Sequence, residues 1–277
     1  MPPLKNESLK DAFFLPPYSS ESHIDMVKGR NRASSGSDSE NANIFMNGQS
    51  MSKHVRESLE RLGDPLPKLV AFDLDYTCWP LWVDTHVDPP LKRRGESLNK
   101  VYDRSGTPLS LYPHIPPILF FLHSKRITVA AASRTCAPTV ARQALNNLLI
   151  VDDGISLQES ENTDTASSIR QSNNGKGRQT YTPIPAMKLF DQLEIYPGSK
   201  ITHFRKLHEK TGIAYEDMIF FDDEYRNAEV SSKLGVHFEL VGHQGTDLAT
   251  FENAIRQWRA KKKARQGDSD AGKELLE

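Results

Sequence analysis

The 277-residue chain balances 35 Lys and Arg against 36 Asp and Glu, a formal net charge of −1, so no overall field selects nucleic acid or an anionic membrane as partner. No apolar run approaches the roughly 20 residues of a membrane span, and the first residues lack the continuous apolar core of a secretory signal. Two cysteines, Cys78 and Cys136, make no disulfide framework and fit a reducing compartment. The expectation is a cytoplasmic protein, with the nucleus as alternative, and an oligomeric state that the sequence leaves open.

Within the expected N-terminal tail, residues 1–63, the stretch from Met1 to about Ser50 is rich in Ser, Asn, Asp, Gly and Pro, with SSGSDSENAN at its centre. Such a stretch buries too little apolar surface to offset its chain entropy, so it reads as a disordered tail. Near its end, Val55 to Leu62 fit one or two helical turns leading into the core. One α/β domain is expected over residues 64–263. It opens with Leu69-Val70-Ala71-Phe72, a short apolar run without alternation, the pattern of a strand buried on both faces of a parallel sheet. Asp73 and Asp75 follow at the strand's carboxyl end, where such sheets bind ligands. Two carboxylates held close repel unless a cation intervenes or one is protonated, which points to Mg²⁺. Acidic pairs at strand ends are common, so the spacing DLD alone favours a pair of solvated turn residues.

Leu91 to Ser110 is polar and holds the turn signal Arg104-Ser105-Gly106-Thr107, so it reads as a hairpin or flap, too short for a separate cap domain. A helix over Ile115 to Ser124 tolerates Pro116 and Pro117 in its first turn. A second buried strand, Ile127 to Ala132, ends at Ser133-Arg134, and a helix over about Pro138 to Leu149 follows. Residues 152–182 are polar, aperiodic and read as a flexible insertion. Beyond it we expect a helix near Pro185 to Leu193 and a strand over Glu194 to Tyr196. A helix then starts at Lys200 behind the N-cap candidate Ser199 and ends near Gly212. Met218 to Phe221 forms a strand ending at Asp222-Asp223, followed by a helix to Leu234 and a strand over Val236 to Val241. The last helix, about Leu248 to Lys261, runs into KKKAR, read as a solvated helix end, and then the charged tail 264–277.

Alternating strands and helices indicate a Rossmann-like α/β sheet with helices on both faces, and right-handed crossovers bring every strand's carboxyl end to one edge. Asp73, Asp75, Ser133, Arg134, Lys200 and Asp223 therefore converge on one crevice. Singly, each has a plainer role: Ser133 as a helix cap, Arg134 as a surface charge, Lys200 as a first-turn lysine opposing the helix dipole. Cys136 and Arg142 have the Cys-x5-Arg spacing of thiol phosphatases, but Pro138 removes a backbone donor and no glycine lets the loop curl around phosphate. Nine histidines form no zinc-ligand group.

The string FDLDYTCWPLWVDTHVDPP, resumed by AAASRT, EIYPGSKITHF and FFDDEYRN, resembles the magnesium-dependent phosphatase family of the haloacid-dehalogenase-like superfamily, over most of Leu66 to Val241. The resemblance implies an aspartyl-phosphate mechanism with Asp73 as nucleophile and Asp75 as acid and base. It implies Mg²⁺ held by Asp73, Asp223 and the backbone carbonyl of Asp75, the share of Asp222 being open. Ser133, Arg134 and Lys200 would contact phosphate. From its place near the rim of an open site, Trp82 is expected to form an apolar wall against the leaving group, with ordinary core packing an equal alternative, and Leu74 is expected to meet the substrate. The substrates it implies are phosphorylated small molecules, including sugar phosphates and phosphorylated glycation adducts, or phosphotyrosine in proteins. A non-catalytic phosphate-binding scaffold on the same fold is the alternative, disfavoured because the three aspartates are retained.

Overall fold

The computed structural model describes residues 54–95, 97–152 and 182–274. Most of the predicted tail and insertion, and the last three residues, lie outside them. Residues 54–60 form helix α1. Strand β1 is Leu69–Phe72, followed by the short helix α2, Val83–His86. A two-stranded hairpin, β2 at Val101–Tyr102 and β3 at Pro108–Leu109, occupies the predicted flap. Helix α3, Ile115–Ser124, leads to β4, Thr128–Ser133, and α4, Pro138–Asn147, to β5, Leu149–Ile150. After the insertion come β6, Ile184–Pro185, β7, Gln192–Ile195, and α5, Lys200–Thr211. The chain ends with β8, Met218–Asp222, α6, Glu229–Leu234, β9, His237–Leu240, and α7, Leu248–Glu274.

The main sheet runs β7-β4-β1-β8-β9, all pairs parallel. Its residues alternate between two cores. Val70, Phe72, Val129, Ala131, Ile219 and Phe221 face a layer built from α1, α3, α4 and α7. Leu69, Ala71, Ala130, Ala132, Met218 and Phe220 face α5 and α6. Because both faces are covered, alternation in geometry leaves no alternation in polarity, which is why the strands read as continuous apolar runs. Each full burial of a side chain such as Phe72 is worth about 2–3 kcal/mol before entropy is counted.

From β1 the chain winds outward through β4 to β7, then returns to the other side of β1 for β8 and β9. The winding reverses between β1 and β8, and the crevice of an open α/β sheet lies at such a reversal. Asp73 follows β1 and Asp222 ends β8, so the reversal places them side by side.

Three expectations need adjustment. The helix predicted near Pro185 to Leu193 is one 3₁₀ turn, Ala186–Leu189. Sheet pairing overrides it: the Asp191 amide donates to Val129 O at 2.8 Å, and its carboxylate accepts from the Val129 amide at 2.8 Å. Helix α7 continues past Lys261 into the segment read as a tail. Helix α1 lies within the residues read as tail, yet Val55 and Leu59 are buried in the main core. The two ends of the insertion meet in the antiparallel pair β5–β6.

Candidate active site

The backbone leaves extended conformation immediately after Asp73. Leu74 O accepts the amides of Thr77, Cys78 and Trp79 at 3.3, 2.8 and 3.3 Å, and Tyr76 adopts a left-handed φ of 52°. This tight turn breaks the strand's two-residue alternation, so Asp73 and Asp75 do not present their carboxylates alike. Leu74 itself is fully buried in the core, which leaves only its backbone to meet a ligand.

Lys200 is the organising side chain. It sits at the first position of α5 behind Ser199, whose hydroxyl accepts from the Thr202 amide at 3.2 Å. Although only 1% exposed, its ammonium lies 2.8 Å from Asp73 Oδ1 and 2.9 Å from Asp222 Oδ2, and also donates to Ala132 O. Burial works against its charge, but Asp73 and Asp222 outweigh that and raise its pKa. Its place against the helix dipole is thereby explained: two carboxylates stand in front of it.

Asp222 is enclosed. Besides Lys200, its oxygens accept from the Glu224 amide at 2.8 Å and from Asn227 Nδ2 at 2.9 Å. Burial raises Asp73, Lys200 opposes this, and the Asp222 charge adds to it. Asp223 is pushed up to about 6 by burial and by Asp222. One oxygen from each of Asp73, Asp222 and Asp223 falls within 4.8 Å of the others. Three such carboxylates, two held above their ordinary range by burial and mutual charge, match the hard oxygen donors that Mg²⁺ takes. This donor set fits the ion.

Asp75 stands apart from that group. Its Oδ1 accepts Trp79 Nε1–H at 2.7 Å and the Val83 amide at 3.3 Å. Burial lifts its pKa to about 6, against those two hydrogen bonds and with help from the Asp84 and Asp223 charges. Its carboxylate is thus suited to proton transfer near neutral pH.

Ser133 is the last residue of β4, buried, with Oγ accepting from the Thr135 amide at 3.3 Å, which leaves its hydroxyl hydrogen to donate. Arg134 is half-buried and only loosely held, at 3.3 Å from Asn227 Oδ1 and 4.0 Å from Glu224. Trp82 is 45% exposed. It packs edge-on to Tyr76 and stacks on His86, whose Nδ1 accepts the Trp82 amide at 3.1 Å. Ordinary core packing is excluded for this tryptophan.

The sequence reading missed Asn227, Trp79 and Asp84. Asn227 lies five residues beyond Asp222 in the quoted FFDDEYRN, a spacing that one helical turn brings back to the carboxylate. Asp84 Oδ2 accepts from Thr135 Oγ1 and from both Sγ and the amide of Cys136, each at 3.3 Å. That contact also disposes of the thiol alternative. The Asp84 carboxylate raises the Cys136 thiol pKa, and Arg142 is turned away to Leu193 O at 3.1 Å.

The acid phosphatase family profile matches residues 65–261. The chain is 41% identical to a HAD-like hydrolase superfamily protein of Schizosaccharomyces pombe over 186 residues, 67% of this chain and 92% of the relative. It is 43% identical to Magnesium-dependent phosphatase 1 of Homo sapiens over 190 residues, 69% of this chain and 86% of the relative.

Proposed function

Because this chain belongs to the acid phosphatase family, among the magnesium-dependent, haloacid-dehalogenase-like phosphatases, we propose that it hydrolyses phosphate monoesters through an aspartyl phosphate on Asp73. The observation that carries this mechanism is the buried ammonium of Lys200, 2.8 Å from Asp73 and 2.9 Å from Asp222. It orients the Asp73 carboxylate and favours its ionised, nucleophilic form against the burial that raises its pKa. Asp73 and Asp223, with the Asp75 backbone carbonyl, would hold Mg²⁺. When bound, the ion offsets the repulsion between these carboxylates and an incoming phosphate.

Asp75 acts as acid and then base. Its Oδ1 is occupied by two donors, so the transferable proton sits on Oδ2. In the first step that proton passes to the departing alcohol; in the second Asp75 takes one from the water that opens the aspartyl phosphate. Ser133 donates its hydroxyl to a phosphate oxygen. Arg134, whose remaining N–H groups have no partner among the described residues, pairs with phosphate or an anionic group of the substrate.

The leaving group meets the exposed Trp82 beside Tyr76. An exposed aromatic shelf and a hairpin in place of a cap support substrates that range from sugar phosphates and phosphorylated glycation adducts to phosphotyrosine in proteins. Among the described residues no helix is long and apolar enough to cross a membrane, and both cysteines are free, which supports a cytoplasmic or nuclear setting.

Asp73→Asn tests the mechanism. The variant folds, loses turnover of an aryl phosphate and fails to form the beryllofluoride adduct that maps to Asp73 in the wild type. Retained activity, or an adduct on Cys136, would overturn the assignment.

A further inference from the structure

The KKKAR run, which neither the fold nor the catalytic site uses, lines a cavity of about 270 Å³ at the opposite edge of the sheet. Its walls are Lys261, Lys262 and Arg265 from α7, Trp258 one turn earlier, His237 of β9, and the Gly235 loop. Glu216, just before β8, lines the same cavity, so it opens at the amino ends of the strands whose carboxyl ends carry Asp222 and Asp223. Five-residue β8 separates the two edges by about 16 Å at the rise of an extended chain.

We propose that this cavity is a second anion site, one that takes a small phosphate-class oxyanion, free or as a phosphomonoester. Three cations line it against one carboxylate, Glu216. Of the three, Lys262 is paired with Asp217 and lies over the Trp258 ring at 5.1 Å. Lys261 and Arg265 have no ion-pair partner among the described residues. Arg265 is exposed, and its guanidinium lies over Gly235, where a Cβ would meet it at 3.8 Å, beside the cavity mouth.

His237 supplies a second observation, independent of the charges. It is 3% exposed, and its Nδ1 lies 3.1 Å from Lys261 Nζ. An ammonium only donates, so Nδ1 accepts and the ring hydrogen sits on Nε2. Nε2 is buried with no hydrogen-bond partner, the Glu239 carboxylate standing off at 3.7 Å. Nε2 thus faces Glu239, while Nδ1, by accepting from Lys261, holds that ammonium at the cavity wall, where its remaining N–H groups can meet an oxyanion together with Arg265. A planar fork and a point charge form a donor set for a tetrahedral oxyanion. The wall of Trp258 leaves room for a small organic group on the phosphate.

Two tryptophans report the two sites separately. Trp258 Nε1 donates to Glu216 O at 2.8 Å beside the cavity, and Trp79 Nε1 donates to Asp75 at 2.7 Å in the catalytic crevice. The full chain is titrated with inorganic phosphate at constant ionic strength, and the two indole N–H resonances are followed by NMR. The Trp258 resonance should move along a saturable curve, and Lys261→Gln/Arg265→Gln should weaken that curve at least tenfold while the Trp79 response stays as in the wild type. Glucose 6-phosphate, as a phosphomonoester probe added in excess chelator so that it is not hydrolysed, should shift the same Trp258 resonance. No movement of Trp258, an equal shift from chloride, or an unchanged curve in the double variant overturns the proposal. The outcome is independent of whether Asp73 is the nucleophile, because the Trp258 signal does not pass through the catalytic crevice.

Discussion

Replacing Asp75 by Asn should abolish turnover and yet stabilise the protein above neutral pH. The Asp75 carboxylate is 7% exposed, and burial raises it from 3.8 to about 6. A carboxylate whose folded pKa lies above its unfolded one destabilises the fold wherever it is ionised. The cost is absent below the unfolded value, grows between about 4 and 6, and is constant above. Converted at 1.36 kcal/mol per pKa unit, the upward shift corresponds to about 3 kcal/mol at pH 8 and about 1.5 kcal/mol at pH 5. Asn removes the charge, while its carbonyl oxygen still accepts from Trp79 Nε1 and the Val83 amide, so little is lost in exchange. Urea unfolding of wild type and Asp75→Asn in excess chelator, at pH 5 and pH 8, measures the difference directly. The variant should be more stable at both, with the gain roughly doubling at pH 8. A variant less stable than wild type at pH 8, or a gain that shrinks as pH rises, would refute a buried, charge-penalised Asp75.

Lys200→Ala leaves Asp73 and Asp222 facing each other without their shared cation, so it should cost about 3–5 kcal/mol in urea unfolding without metal. Saturating Mg²⁺ should recover part of that loss, and a variant as stable as wild type would remove Lys200 from the centre of the site. Turnover should stop in excess chelator, and Asp223→Ala should raise the Mg²⁺ concentration for half-maximal rate at least tenfold; full activity in chelator would exclude the metal site. Deleting residues 156–179 should shift the thermal midpoint by less than about 3 °C, because β5 and β6 already hold the loop ends together and closure entropy varies slowly with length. A collapse of the fold or loss of catalysis would make that segment part of the structure or the site.

The strand runs were legible in the chain because a strand covered on both faces needs no polar residue. Leu69–Phe72, Thr128–Ser133 and Met218–Asp222 therefore stand out as uninterrupted apolar segments ending in the polar residues of the site. The hairpin and the Gly212 and Gly235 helix ends were equally local, since left-handed backbone at those glycines is written in residue type. Strand order was not. Only the reversal of winding between β1 and β8 sets Asp222 beside Asp73, residues 149 positions apart in the chain. The sequence pairs Asp73 with Asp75 by spacing. Three-dimensional packing instead closes a turn on Leu74 O, sends Asp75 to Trp79, and brings Asp222 and Asp223 to Asp73. Lys200 shows the same limit most clearly. In the chain it is a lysine at an unfavourable helix end; burial between two carboxylates, which no local pattern encodes, turns that position into the electrostatic centre of the site.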